Sequence, residues 1–171
     1  MEADELKEAA ERAERQGEKR VGLTMAIVAA FLALATMLGH RTHTEEVVLQ
    51  TRATDQWAYY QAKNSRSHMY QADAKLAAVS AVGKELSAEF AADGKKEAGD
   101  AEKIRHDAEH LEEETNITAN RAKYFDIAEV MLEVSIVLCS VTLLTALRSF
   151  WLSSFLTTLA GLGLIAFAAL R

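Results

Sequence analysis

Three carboxylates at the start of an apolar run have the clearest capacity for chemistry. Glu129 and Glu133 are four residues apart, on one face of a helix, and Asp126 stands about one turn earlier. Carboxylates at membrane depth are costly to keep charged and usually serve a purpose. In a homo-oligomer this acidic face would form rings at the mouth of a cavity and draw cations or protons. The plainer alternative is that the acids snorkel to water or pair with His40, Arg41 or His43, which follow the preceding apolar run.

His106 and His110 form a second pattern, four residues apart and flanked by Asp107, Glu109 and Glu113. Such a pair can hold a metal from one helical face, but it needs a third ligand. His68, Glu85 or Glu89 would have to supply it, and no H-E-x-x-H string is present. A solvated face is therefore expected, with no metal. Trp57, Tyr59 and Tyr60 cluster within four residues in a polar stretch, where an oligomer or partner contact would use them. Cys139 has no second cysteine to pair with and lies in an apolar run, as a packing residue does. No nucleophile, base and orienting group can be assembled from these residues, so neither an enzyme nor a cofactor is expected. A net charge of −6 argues against nucleic acid.

The elements that carry these residues are helical. The 171 residues contain no Pro and only 8 Gly, in a background of Ala, Glu and Leu. The expected class is all-α: an integral membrane protein with three transmembrane helices and a long antiparallel, coiled-coil-like hairpin between the first and second. Residues 1–20 read as a polar helical tail. Residues 21–39 carry no charge and span roughly 28 Å, close to the hydrocarbon thickness. Ala33-Leu34-Ala35 resembles a signal-peptide cleavage site, but seven carboxylates in the preceding tail argue for an anchor. Residues 126–148 and 149–171 form the second and third spans, joined tightly around Arg148-Ser149. Tyr124 and Phe125, and Phe150 and Trp151, are placed as interfacial belts.

Residues 40–125 form the hairpin. Its second arm carries a heptad seam, Ala101, Ile104, Ala108, Leu111, Thr115, Thr118, Ala122 and Phe125. The first arm offers Ala58, Ala62, Ser65, Met69, Ala72, Leu76, Val79, Gly83, Leu86 and Phe90 as the matching seam. Arm length favours a turn at Gly83, whereas turn chemistry favours Asp93-Gly94, which is the preferred position. In the third span Ser149, Ser153, Thr157 and Gly161 recur every four residues, a spacing that suits close packing against another span.

Two strings resemble a known family: Asp55-Gln56-Trp57-Ala58-Tyr59-Tyr60-Gln61-Ala62-Lys63 after the first span, and Phe125-Asp126-Ile127-Ala128-Glu129-Val130-Met131-Leu132-Glu133 opening the second. They are similar to a bacterial family of small three-span membrane proteins known only as a domain of unknown function. The resemblance implies the topology and a bacterial origin, and no mechanism.

The expected location is a bacterial inner membrane. Basic residues are denser in the tail and at Arg148, which places the N-terminus in the cytoplasm and the hairpin in the periplasm. The expected function is a non-catalytic membrane scaffold or accessory subunit. Its partners would be lipid and either copies of itself or a larger membrane complex. The alternative is a small oligomeric cation or proton channel lined by Asp126, Glu129 and Glu133.

Overall fold

The computed structural model describes residues 2–79 and 83–170, with side chains from residue 15 onward. Among the described residues the chain is helical throughout, without strands: α1 (Glu2–Ala78), α2 (Lys84–Thr145) and α3 (Arg148–Leu170). Long uninterrupted helices follow from the absence of Pro and the wealth of strong helix formers. All three helices contain a stretch long and apolar enough to cross a membrane. The chain divides into two compact units, Met1–His43 with Ala119–Arg171, and Thr44–Thr118.

The apolar unit packs parts of α1, α2 and α3. Val28 and Ala35 of α1 meet Leu132 of α2 in its core, with Phe31, Leu32, Ile136 and Ile165 around them. The α2–α3 contact is hydroxylic. Ser135 Oγ donates to the Ser154 carbonyl at 2.9 Å and lies 2.7 Å from Thr158 Oγ1. Cys139 is buried, with Sγ donating to Ser154 Oγ at 3.4 Å. Arg121 Nε donates to the Ala168 carbonyl at 3.0 Å, meeting one of the carbonyls that the C-terminal end of α3 leaves without a helical partner. Outside, the unit shows Leu23, Leu34, Val137, Leu144, Leu156 and Leu159.

The charged unit is a helical hairpin. Ser67 Oγ donates to the Gly94 carbonyl at 2.8 Å and Ser87 Oγ to the Ala74 carbonyl at 2.9 Å. Residue numbers fall along one arm as they rise along the other, which is antiparallel packing. Every member of the expected second-arm seam is buried or half-buried, from Ala101 and Ala108 to Ala122 and Phe125.

The expected first-arm seam is corrected. Its members Ala58, Ala62, Ser65, Met69, Ala72, Leu76 and Val79 are exposed. The inward line is Ala53, Gln56, Tyr60, Lys63, Ser67, Tyr70, Ala74 and Ala77, each buried or half-buried. The two lines differ by two residues throughout, about 200° around a helix, so they occupy opposite faces. Lys63 and Ser67 of the inward line find partners on the other arm, which lets that line displace the more apolar one.

The turn is corrected as well. It lies between Ala78 and Lys84, while Asp93-Gly94 continues inside α2. A Cβ at Gly83 would collide with the Ala77 carbonyl, so only Gly fits there. Gly94 serves close approach instead: a Cβ there would lie 3.2 Å from Tyr70 Cβ and 3.3 Å from the Ser67 carbonyl oxygen.

The junction of α2 and α3 falls at Ala146-Leu147, slightly before Arg148-Ser149, with Ala146 at φ 57°. Phe125 is a fully buried core residue rather than a belt residue, and a Cβ on Gly39 would touch its own Cβ at 3.4 Å.

Candidate functional site

The acidic face begins where α2 enters the apolar unit, and the seam position of Phe125, Ala128 and Leu132 sets which way each acid looks. Those three side chains are buried, so Asp126 and Glu133 point outward and Glu129 sits half-buried at the edge. His43 Nε2 and Asp126 Oδ1 are 2.9 Å apart, with both side chains about half exposed. Glu129 Oε1 accepts a hydrogen bond of 2.7 Å from Thr36 Oγ1 on α1. The same Thr36 hydroxyl lies 3.0 Å from the Leu32 carbonyl of its own helix. Glu133 is exposed. Two of the three acids thus bridge α1 and α2, to His43 and to Thr36. Arg41 is exposed, with no carboxylate paired to it among the described residues.

The histidine pair stays apart from other ligands. His106 and His110 are exposed, and His110 Nδ1 lies 3.8 Å from Glu114 on its own helix. Among the described residues no three His, Cys, Asp or Glu side chains gather as metal ligands. Arg105, beside His106, is held by Glu102 and lies 3.9 Å from Glu109. The bond to Glu102 raises the guanidinium pKa above its ordinary value.

Trp57 and Tyr60 pack edge to face, with centroids 5.7 Å apart and planes at 84°. Tyr60 belongs to the inward line, Trp57 is half-buried, and Tyr59 is exposed. The small-residue row of α3 is corrected: Ser149 and Ser153 are exposed, Thr157 is half-buried, and only Gly161 is buried. A row spaced by four drifts about 40° per step, so it cannot follow one neighbour along a helix. The buried line is Ser154, Gly161 and Ala168, with seven-residue spacing. A Cβ on Gly161 would lie 3.1 Å from Leu132 Cγ and 3.2 Å from the Ala128 carbonyl oxygen.

The strongest polar cluster was absent from the residues singled out by sequence. Lys63 Nζ lies 3.0 Å from Glu97 and 3.5 Å from Asp100, and Arg66 approaches Glu97 at 3.7 Å. The Lys63 and Glu97 side chains are each only 15% exposed. The bond to Glu97 holds the Lys63 ammonium pKa above its ordinary 10.5. The only sequence signal was the position of Lys63, which ends the W-A-Y-Y-Q-A-K string and falls on the inward line. This cluster joins the two arms of the hairpin. In the apolar unit, Arg20, Arg148 and Trp151 line a cavity of about 410 Å³.

No curated protein and no solved structure matches the chain. A family model described as Domain of unknown function (DUF4337) matches residues 17–171, and the chain belongs to that family.

Proposed function

We propose that the protein is a non-catalytic scaffold of the membrane that assembles with copies of itself through its helical hairpin. The observation that carries the reading is the second heptad line on the first arm. Ala58, Ala62, Ser65, Met69, Ala72, Leu76 and Val79 keep strict four-three spacing, yet Leu76 is 72% exposed and Val79 88%. An apolar line with a 3.5-residue period is what a second helix covers in a left-handed supercoil. The flanking charges favour a second copy. In a parallel pair His68 stands beside Asp73 of the other copy, five residues on, and no like-charge pair arises among Gln61, Arg66, His68 and Asp73.

Membrane insertion is supported by what the apolar unit buries and shows. Its α3 interior is Ser154, Gly161 and Ala168, while Leu152, Leu156 and Leu159 face outward. A helix arranged this way would aggregate in water and suits lipid, where close packing of small residues and hydroxyl bonds hold helices together. A bacterial inner membrane with the tail in the cytoplasm accords with the distribution of Lys and Arg.

The acidic-face channel is the weaker reading. Asp126 and Glu129 already serve contacts to α1, which leaves the exposed Glu133 as the one member of the face outside those contacts.

The test is the mass of the full chain in detergent, with Leu76→Glu and Met69→Glu as variants. The parent is expected as a homo-oligomer and the double variant as a smaller species of equal helical content. Single cysteines at Ala62 and at Leu76 should each cross-link to themselves in the parallel arrangement. A monomeric parent, or one bound only to a different protein, overturns self-assembly.

A further inference from the structure

The end of the apolar unit that carries Arg20 and Arg148 contains a cavity of about 410 Å³. Three helices build it. α1 supplies Gly17, Glu18 and Arg20, α2 supplies Thr142 and its neighbours, and α3 supplies Arg148 and Trp151. Arg20 is the last charged residue before the apolar run of α1, and Arg148 is the first residue of α3. Among the described residues no carboxylate pairs with either guanidinium. The first turn of α3 adds the positive end of a helix to the same place. Trp151 is fixed there, its Nε1 donating to Thr24 Oγ1 at 3.3 Å and its ring packed edge to face on Phe155.

We propose that this cavity binds the headgroup phosphate of an anionic glycerophospholipid such as phosphatidylglycerol. Guanidinium groups hold phosphate through paired, charge-assisted hydrogen bonds, and two of them converge on this cavity. Basic pockets between membrane helices recognise anionic headgroups in this way. Val21, Leu143 and Leu144 complete the wall with apolar surface, which suits an acyl chain and offers nothing to a free anion. Glu18 on the lining accepts hydrogen bonds and so suits the glycerol hydroxyls of such a headgroup. The single carboxylate leaves the two arginines with a net positive charge, which selects a lipid of net negative charge over a zwitterion.

This inference rests on the membrane reading, and the experiment separates the two. The full chain is purified in detergent and melted with phosphatidylglycerol, with phosphatidylcholine and with millimolar inorganic phosphate. Phosphatidylglycerol is expected to raise the melting temperature in a saturable way, and the other two to leave it unchanged. Native mass spectrometry should show phosphatidylglycerol retained. The double variant Arg20→Gln, Arg148→Gln should weaken that retention at least tenfold with helical content unchanged. If the double variant does not fold, each single variant should weaken retention on its own. Equal effects of both lipids, or full retention by the variants, overturn the proposal. Equal protection by inorganic phosphate assigns the cavity to a soluble anion and overturns the lipid. Alkaline extraction of cell membranes decides the underlying reading: a chain released to the soluble fraction overturns membrane insertion itself, whereas a retained chain without lipid selectivity overturns the cavity assignment alone.

Discussion

On α3 the buried line is Ser154, Gly161 and Ala168, and Leu156 and Leu159 lie outside; on the second arm of the hairpin the buried line is Ala101, Ala108 and Thr115, and Glu102, Glu109 and Glu113 lie outside. The interiors are nearly interchangeable, built of small side chains that let helices approach. The exteriors are opposite. Small-residue interiors therefore do not tell the two units apart; the surface does, because it is matched to the surrounding solvent. The exception is instructive. The exposed line from Ala58 to Val79 carries an apolar surface in the charged unit, the surface that the proposed self-assembly would cover.

If the hairpin interior is as selective as that of a soluble coiled coil, charge on its seam should have the largest effect. Ile104 and Leu111 are half-buried on the second arm. Replacing both by Asp is expected to cost about 4 kcal/mol, because carboxylates placed on an apolar seam lose water without gaining a partner. Chemical denaturation followed by circular dichroism reads this, and a midpoint equal to the parent's would dismantle the hairpin.

Close approach is the property the two units share, and glycine tests it in each. Gly161 in the apolar unit and Gly94 in the hairpin both face atoms within 3.4 Å of a notional Cβ. Leu at either position should cost about 3 kcal/mol by forcing the helices apart. Gly163 and Gly99 have nothing within 4 Å of such a Cβ and serve as controls. Melting temperatures of the four variants should fall into two clear pairs; a Gly161 variant as stable as the Gly163 variant would mean that α3 tolerates separation.

These positions also show what the sequence revealed. The second-arm seam was legible because an apolar or small side chain stands at every step from Ala101 to Phe125, leaving one candidate face. The first arm offers two faces of equal period. The more apolar one was the natural choice, and it lost because Lys63 and Ser67 on the other face have partners at Glu97 and Gly94 that no local periodicity reveals. The two glycines exchanged roles for the same reason: Asp93-Gly94 has turn chemistry, but in the folded hairpin Gly94 is a contact point under Ser67 and Tyr70. In the candidate site, the spacing of Asp126, Glu129 and Glu133 put them together on one helix, but that Glu129 meets Thr36 depends on how α1 docks.

Among the described residues, the hairpin interior holds an ion pair whose two side chains are each only 15% exposed, and its pH response sharpens the contrast. Lys63→Ala should lower stability, because Glu97 then keeps only the more distant Arg66, at 3.7 Å, as counter-charge. Lys63→Met together with Glu97→Leu should recover most of that loss. The Lys63 pKa is raised in the folded chain, so its contribution is fully present below the ordinary value of 10.5 and fades as pH rises through the folded value. Parent stability measured from pH 9 to 12 should therefore fall more steeply than that of the Met–Leu variant; parallel curves would remove the pair from the hairpin's stability.

The smallest expected effect is a gain, at the junction of α2 and α3. Ala146 sits at φ 57°, in the left-handed region, immediately after α2 ends at Thr145. Its N–H donates to the Thr142 carbonyl at 2.8 Å, which closes the helix end and holds the backbone in that conformation. Helices commonly stop with such a residue, and Gly is the usual choice because a Cβ crowds the following carbonyl. The sequence has Ala there, so the junction carries strain of about 1 kcal/mol. Ala146→Gly should relieve it, less the entropy that a glycine loses on folding, for a net gain of about 0.5 kcal/mol. A thermal melt of the full chain should therefore show a slightly raised melting temperature for the variant. A loss of stability would show that Ala146 is held by packing of its methyl group and that the close turn between α2 and α3 depends on that contact.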